Sequence, residues 1–287
     1  VARGAEQLQR EMRITRLSAG VDASGTLQRS AMERTFDALR SYRVIMDHFG
    51  VQSGLLVATS AVRDASNGSE FLEEAKSIVG VETRLLAGKD EAELSYLGAT
   101  TGLEPDERAT LIVDIGGGST ELAFQKNGAL ESYSMQLGCV RVTERALGSG
   151  VVDAAHDLAT REMIAQELNH AFESVPAFND VVGEVRLVGL AGTVATLAQM
   201  DVGISVYDRS KVHHRVLPRS VVATWRNTLA HETPQQRLTH PGMVEGREDV
   251  LTAGLYILEA VMDRFGVDAC LSSENDILDG IALALSS

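Results

Sequence analysis

The sequence predicts an α/β protein, on three observations. Short apolar runs of strand length alternate with segments whose apolar residues recur at helical spacing. One run, LIVDIGGGSTEL at residues 111–122, turns through three consecutive glycines into a second strand. Another, at residues 184–188, runs into Gly189-Leu190-Ala191-Gly192-Thr193 and then into a helix. Two glycine turns carried on strands suggest a duplicated architecture.

The chain has 287 residues, room for one large domain or two ordinary ones. Its 44% hydrophobic and 23% charged residues are those of a soluble globular protein, and no apolar run approaches the ~20 residues of a membrane span. Cys139 and Cys270 give neither a disulfide framework nor zinc spacing, so a cytoplasmic location is expected. The net charge of -14 argues against DNA or RNA and against an anionic membrane as partners. A polyphosphate or nucleotide ligand would therefore need Arg, Lys, His and metal ions gathered in one cleft.

Taken in order, residues 1–8 give no clear start to a fold, and residues 12–17 (MRITRL) read as a strand in mid-sheet. A turn at 21–25 precedes an amphipathic helix over 30–49, where Met32, Phe36, Leu39, Tyr42 and Met46 recur at helical spacing. Residues 54–59 form an apolar strand that delivers Ser60 and Arg63 at its end. A helix over 70–79 closes at Gly80, and a strand over 81–86 delivers Glu91 before a helix over 93–100. Ligand groups in open α/β sheets cluster beyond the carboxyl ends of strands, where Arg63 and Glu91 both fall. Residues 102–108, polar and with Pro105, read as a linker. After the glycine hairpin, a strand is expected at 130–135, with helices at 143–147 and 153–175. Helices then follow at 194–200, 218–230 and up to Met262, a strand at 269–272 and a terminal helix at 275–285.

The hairpin carries the chemistry. Gly116, Gly117 and Gly118 let the backbone turn tightly and approach a ligand, and their N–H groups can form an anion-binding nest. Ser119 adds a hydroxyl. Asp114 and Glu121 flank the turn, and carboxylates beside phosphate point to Mg²⁺ or Mn²⁺. No Gly-Lys-Ser/Thr follows, so this is not a Walker loop. At the second turn, Gly189, Gly192 and Thr193 precede a helix N-terminus, another anion-binding arrangement. Lys211, His213, His214 and Arg215 form a basic patch that, with Arg247, could line a path for a polyanion. Adjacent histidines in a strand would point to opposite faces, so phosphate contact is favoured over metal binding. Cys139 reads as packing.

Seven stretches in this order resemble the bacterial exopolyphosphatase and guanosine pentaphosphate phosphatase (Ppx/GppA) family. They are VATSAVRDASN, AGKDEAELSYLGA, LIVDIGGGSTEL, LGCVRVTERAL, LVGLAGTVATLA, HPG with REDVLTAG, and SENDILDGIA. The resemblance implies two RNase H-like domains of the actin-like ATPase superfamily, with a cleft between them. Their expected extents are 1–107 and 108–287, the terminal helix packing back toward the first. It implies metal-assisted hydrolysis of the terminal phosphate of inorganic polyphosphate, or alternatively of the 5′ γ-phosphate of pppGpp. A non-hydrolysing binder of either ligand is a more distant reading. It assigns Glu91 as the catalytic carboxylate and Arg63 as a phosphate clamp. Asp114 and Glu121 would hold Mg²⁺, with activation by a monovalent ion such as K⁺, in a homodimer. Three departures stand out. The family's opening strand and its Asp-x-Gly-Thr/Ser-Asn-Ser loop are absent, so roughly two dozen further residues are expected before Val1. Asn275 stands where relatives carry His. Residues 243–246 are extra.

Overall fold

The computed structural model describes residues 1–3 and 6–286. Two lobes with separate cores build it. The first opens with a small hairpin, β1 (Ala2–Arg3) and β2 (Glu6–Gln7). A short helix α1 (Val21–Ser24) and the long α2 (Arg29–His48) follow. Strand β3 (Leu55–Ala58) leads into the single turn α3 (Ser60–Arg63), then α4 (Gly68–Val79) and strand β4 (Glu82–Leu85). β3 and β4 pair in parallel. The amphipathic stripe of α2 buries Met32, Phe36 and Leu39 against α4, where Phe36 and Phe71 stack with centroids 5.2 Å apart.

Residues 12–17 are not the strand that the sequence predicts. A strand needs a neighbour for its N–H and C=O groups, and among the described residues no strand pairs with this stretch. Side chains fix it instead. Arg16 adopts φ 55°, bonds Asp249 bidentately and donates to the Gly246 carbonyl at 2.8 Å. Arg34 holds the Thr15 carbonyl at 3.0 Å.

The second lobe is a six-stranded mixed sheet. Helix α5 (Gly88–Thr100) leads into β5 (Ala109–Ile115), β6 (Thr120–Lys126) and β7 (Ala129–Met135). Then come α6 (Cys139–Val142), a π-turn over Thr143–Leu147, and α7 (Ala154–Ser174), which Asp153 caps. β8 (Val185–Leu190), α8 (Ala191–Val202), α9 (Arg209–Val212), β9 (Val216–Pro218) and α10 (Arg219–Ala230) follow. The chain closes with α11 (Pro234–Arg237), α12 (Leu251–Phe265), β10 (Ala269–Ser272) and α13 (Ile277–Ser286). The strand order is β7-β6-β5-β8-β10-β9, with β5, β8 and β10 parallel. Strand alternation sorts the faces. Leu111, Val113, Leu122, Phe124 and Leu187 enter the main core with α7, α8, α10 and α12. Ile112, Ala123, Val188 and Leu190 face Ala92 and Ala99 of α5.

Helix α5 precedes residue 108 and packs on the larger sheet, where Ala92 and Ala99 meet Ile112, Ala123, Val188 and Leu190. Helix α13 lies against α5 at close range. A Cβ on Gly98 would sit 1.9 Å from the Asp276 carbonyl oxygen, and one on Gly280 would sit 2.0 Å from that of Leu94. Among the described residues no helix is long and apolar enough to cross a membrane.

This crossing has a testable consequence. Gly98→Ala forces α5 and α13 apart and is expected to destabilise by ~1–3 kcal/mol, the usual overpacking cost. Gly150→Ala, whose Cβ meets nothing within 4 Å, is expected to be neutral. Chemical denaturation of the two variants against wild type checks both.

Candidate active site

The sheet register builds the site. Asp114 and Glu121 are direct partners across the antiparallel β5–β6 pair, so both carboxylates project from one face. That face is the one α5 covers. On α5, Glu91 and Ser95 are one helical turn apart and point the same way. Ser95 Oγ donates to Asp114 Oδ2 at 2.7 Å. Ser134, the β7 partner of Glu121, donates to Glu121 Oε1 at 2.7 Å. Three carboxylates from two strands and a helix thus share one site.

Their proximity shows in their acidities. Burial, then the charge of Asp114, pushes the Glu91 carboxyl up to about 7, against the pull of Arg63 and Thr59. Burial pushes Asp114 up to about 6, the Ser95 hydroxyl opposing and the charge of Asp276 adding. Glu121 is raised well above the usual carboxylate range by burial and then by Glu91 and Asp114. Glu91 Oε2 is buried without a hydrogen-bond partner, and Arg63 Nη1 stands 3.7 Å from it. Among the described residues no three His, Cys, Asp or Glu side chains are arranged to hold a metal ion by themselves. Repelling carboxylates with an orphaned oxygen fit a divalent cation held by one or two of them together with phosphate oxygens.

Glu91 opens onto a groove of about 480 Å³ between the lobes. Gly116, Gly117, Gly118 and Ser119 line it, as do Ala191, Gly192 and Arg247. The N–H groups of Gly117 and Gly118 have no acceptor among the described residues, while the Gly116 and Gly117 carbonyls accept from the N-terminus of α6. Ala191, the first residue of α8, is held at φ 63°, a left-handed conformation rare outside glycine, at the helix end whose first N–H groups have no intrahelical acceptor. The Arg247 guanidinium lies so close to Gly192 that a Cβ there would fall 1.6 Å from Nη1. Arg63 donates to the Leu86 carbonyl at 2.7 Å, which fixes it beside Glu91.

Other predicted residues sit elsewhere. Gly189 is inside β8, where a Cβ would press on Cys270 Sγ at 2.7 Å; its small size serves packing. Thr193 is buried against Gly254 of α12. The basic patch does not line the groove. Lys211 borders a separate surface depression and pairs with Asp208 at 3.6 Å, while Arg215 pairs with Asp201 at 2.5 Å. His213 and His214 do not point to opposite faces. They follow a helix rather than lie in a strand, His214 takes φ 60°, and their rings stack at 3.7 Å. Burial, then His214, pushes His213 down to about 4. In place of the patch, Arg13, Arg16 and Arg247 line the groove. Arg13 and Arg16 carry no motif signal; the Ser95 and Ser134 hydroxyls follow from helix spacing and register once Glu91 and Glu121 are chosen.

Glycine-loop N–H groups, arginines and Glu91 thus face one groove between two α/β lobes, with Asp114 and Glu121 buried behind Glu91. The chain belongs to the Ppx/GppA phosphatase family, whose model matches residues 1–285. It is 34% identical over 296 residues to exopolyphosphatase 2 of Mycobacterium tuberculosis, covering 100% of this chain and 92% of that protein. Its structure resembles that of an exopolyphosphatase-like protein at TM-score 0.91 and 29% identity, covering 98% of this chain and 92% of that one. The Aquifex aeolicus member of the Ppx/GppA family aligns at TM-score 0.76 and 29% identity, covering 95% and 87%.

The raised pKa of Glu91 has a consequence for stability that needs neither substrate nor metal. A carboxyl whose folded pKa lies above its unfolded value contributes stability that is fully present at low pH. That stability is lost as pH rises from 4.5 toward about 7. In EDTA, Glu91→Gln is expected to melt close to wild type at acid pH and several degrees above it once pH exceeds the folded value. Thermal melts of both proteins across this range check it; a difference that does not grow with pH contradicts the assignment.

Proposed function

We propose that this phosphatase is an exopolyphosphatase, removing the terminal phosphate of inorganic polyphosphate by attack of water. The observation that carries the reading is Glu91: a carboxyl with an unpartnered oxygen, in the groove, beside Arg63. The relative that is 34% identical over the whole chain is named an exopolyphosphatase, which favours polyphosphate over the 5′-phosphate of pppGpp.

The chain's own residues divide the work. The free N–H groups of Gly117 and Gly118 and of the first turn of α8 receive phosphate oxygens. Arg63, with Arg247, offsets the charge of a polyanion in a protein of net charge -14. Glu91 accepts a proton from water as its oxygen bonds to the terminal phosphorus. The bridging P–O bond breaks and the shortened chain leaves with the electron pair. Asp114 and Glu121 are the side chains that would hold Mg²⁺ or Mn²⁺. Such an ion, when bound, neutralises charge on the transferring phosphoryl group.

Phosphate release from long-chain polyphosphate and from pppGpp tests the reading. Polyphosphate is expected to be the better substrate, with activity lost in EDTA and restored by Mg²⁺. Glu91→Gln is expected to lower kcat ~10²–10⁴-fold while substrate still binds. Near-native turnover in that variant, or a preference for pppGpp, overturns the corresponding part.

A further inference from the structure

The proposed chemistry leaves Arg141 without a role, though it sits at the seam of the two lobes. Its side chain is 8% exposed, and all three guanidinium nitrogens are engaged. Nη2 bonds Asp64 Oδ2 at 2.5 Å, Nη1 donates to Gln136 Oε1 at 2.7 Å, and Nε lies 3.5 Å from Asp22 Oδ1. Asp64 and Asp22 belong to the first lobe; Arg141 belongs to the second.

Both ends of this bridge are seated on the site. On one side, the N–H groups of Cys139, Val140 and Arg141 donate to the carbonyls of Gly116 and Gly117 at 2.9 to 3.2 Å. The turn that carries Arg141 therefore rides on the glycine loop. On the other side, Asp64 directly follows α3, the turn that begins at Ser60 and ends at Arg63. Ser60 faces Gly118: a Cβ on Gly118 would fall 2.8 Å from Ser60 Oγ and 3.8 Å from Arg141 Nη2. A short path of bonds thus joins the loop with free N–H donors to the turn that holds Arg63. A buried guanidinium is tolerated only when its donors are met, and its planar fork fixes the positions of what it meets.

We propose that Arg141 is a positioning residue. It sets the spacing between the Arg63-bearing turn of the first lobe and the glycine loop of the second. A terminal phosphoryl group then meets both at once. The substrate named here rests on the exopolyphosphatase reading; the tie between the lobes does not. Without the tie, the groove spends part of its time open, and substrate binding must close it. Apparent affinity falls by the fraction closed. Once the groove is closed the reacting groups are unchanged, so turnover persists.

The variants that test this are Arg141→Met, Arg141→Lys, Asp64→Asn and the Arg141→Met/Asp64→Asn double variant. Asp64 is 28% exposed, so its substitution is expected to fold even if Arg141→Met does not. Initial rates over a range of polyphosphate concentrations give KM and kcat, and small-angle scattering without substrate gives the radius of gyration. Arg141→Met is expected to raise KM by ~10-fold or more with kcat little changed. Asp64→Asn reproduces most of that rise, the double variant is no worse than Arg141→Met, and lysine restores part of it. Arg141→Met and Asp64→Asn also enlarge the radius of gyration. Unchanged KM in folded Asp64→Asn, additive losses, or a fall in kcat alone overturns the proposal. If wild type releases no phosphate from polyphosphate, the functional reading has failed and scattering decides: equal radii overturn the tie, larger radii in the variants uphold it.

Discussion

Asp114 and Glu121 face each other across an antiparallel strand pair, and much of the site follows from that repulsion. Like charges directly opposite on a sheet are destabilising. Here they are also largely withdrawn from water, with Glu91 of α5 brought down on top of them. The chain compensates only in part. Ser95 and Ser134 each donate one hydroxyl, and Arg63 stands 3.7 Å from Glu91, beyond hydrogen-bond range. The remaining field favours a proton or a cation.

The strain is supported from outside the site. Gly98 and Gly280 let α13 press α5 onto the sheet, which keeps Glu91 and Ser95 over the strand pair. The first lobe reaches the second through charged contacts, Arg16 with Asp249 on one side and Arg141 with Asp64 and Asp22 on the other. The two lobes keep separate apolar cores. Polar contacts across a cleft between such bodies can be broken and remade more readily than a shared core. Arg13, Arg16 and Arg247 gather positive side chains along this cleft in a protein whose net charge is -14.

Much of this was legible in the sequence. The glycine hairpin of residues 111–122 and the helices around it fall where apolar spacing places them, because buried strands and amphipathic helices leave strong local patterns. Asp114, Glu121 and Glu91 stood out as carboxylates at strand ends and beside glycine. What failed was decided by distant partners. Residues 12–17 have the composition of a strand but no neighbour to pair with. Gly189 looks like a ligand contact and is a packing requirement set by Cys270, 81 residues later in the chain. Strand alternation predicts opposite faces for His213 and His214, but both follow α9, His214 is left-handed at φ 60°, and their rings stack. The roles of Arg16 and Arg141 depend on aspartates in the opposite lobe, and no spacing in one sequence reveals them.

Burial and mutual repulsion raise the Asp114, Glu91 and Glu121 carboxyls, so a divalent cation bound among them is expected to displace protons. Titration calorimetry of Mg²⁺ into the metal-free protein near pH 6.5, in buffers of different ionisation enthalpy, counts those protons directly. Net proton release on binding is expected, since Asp114 and Glu91, at about 6 and about 7, are part-protonated there and Glu121 lies higher than the usual carboxylate range. That release should shrink in Glu91→Gln. Binding with no proton release, or release unaffected by that substitution, would contradict it.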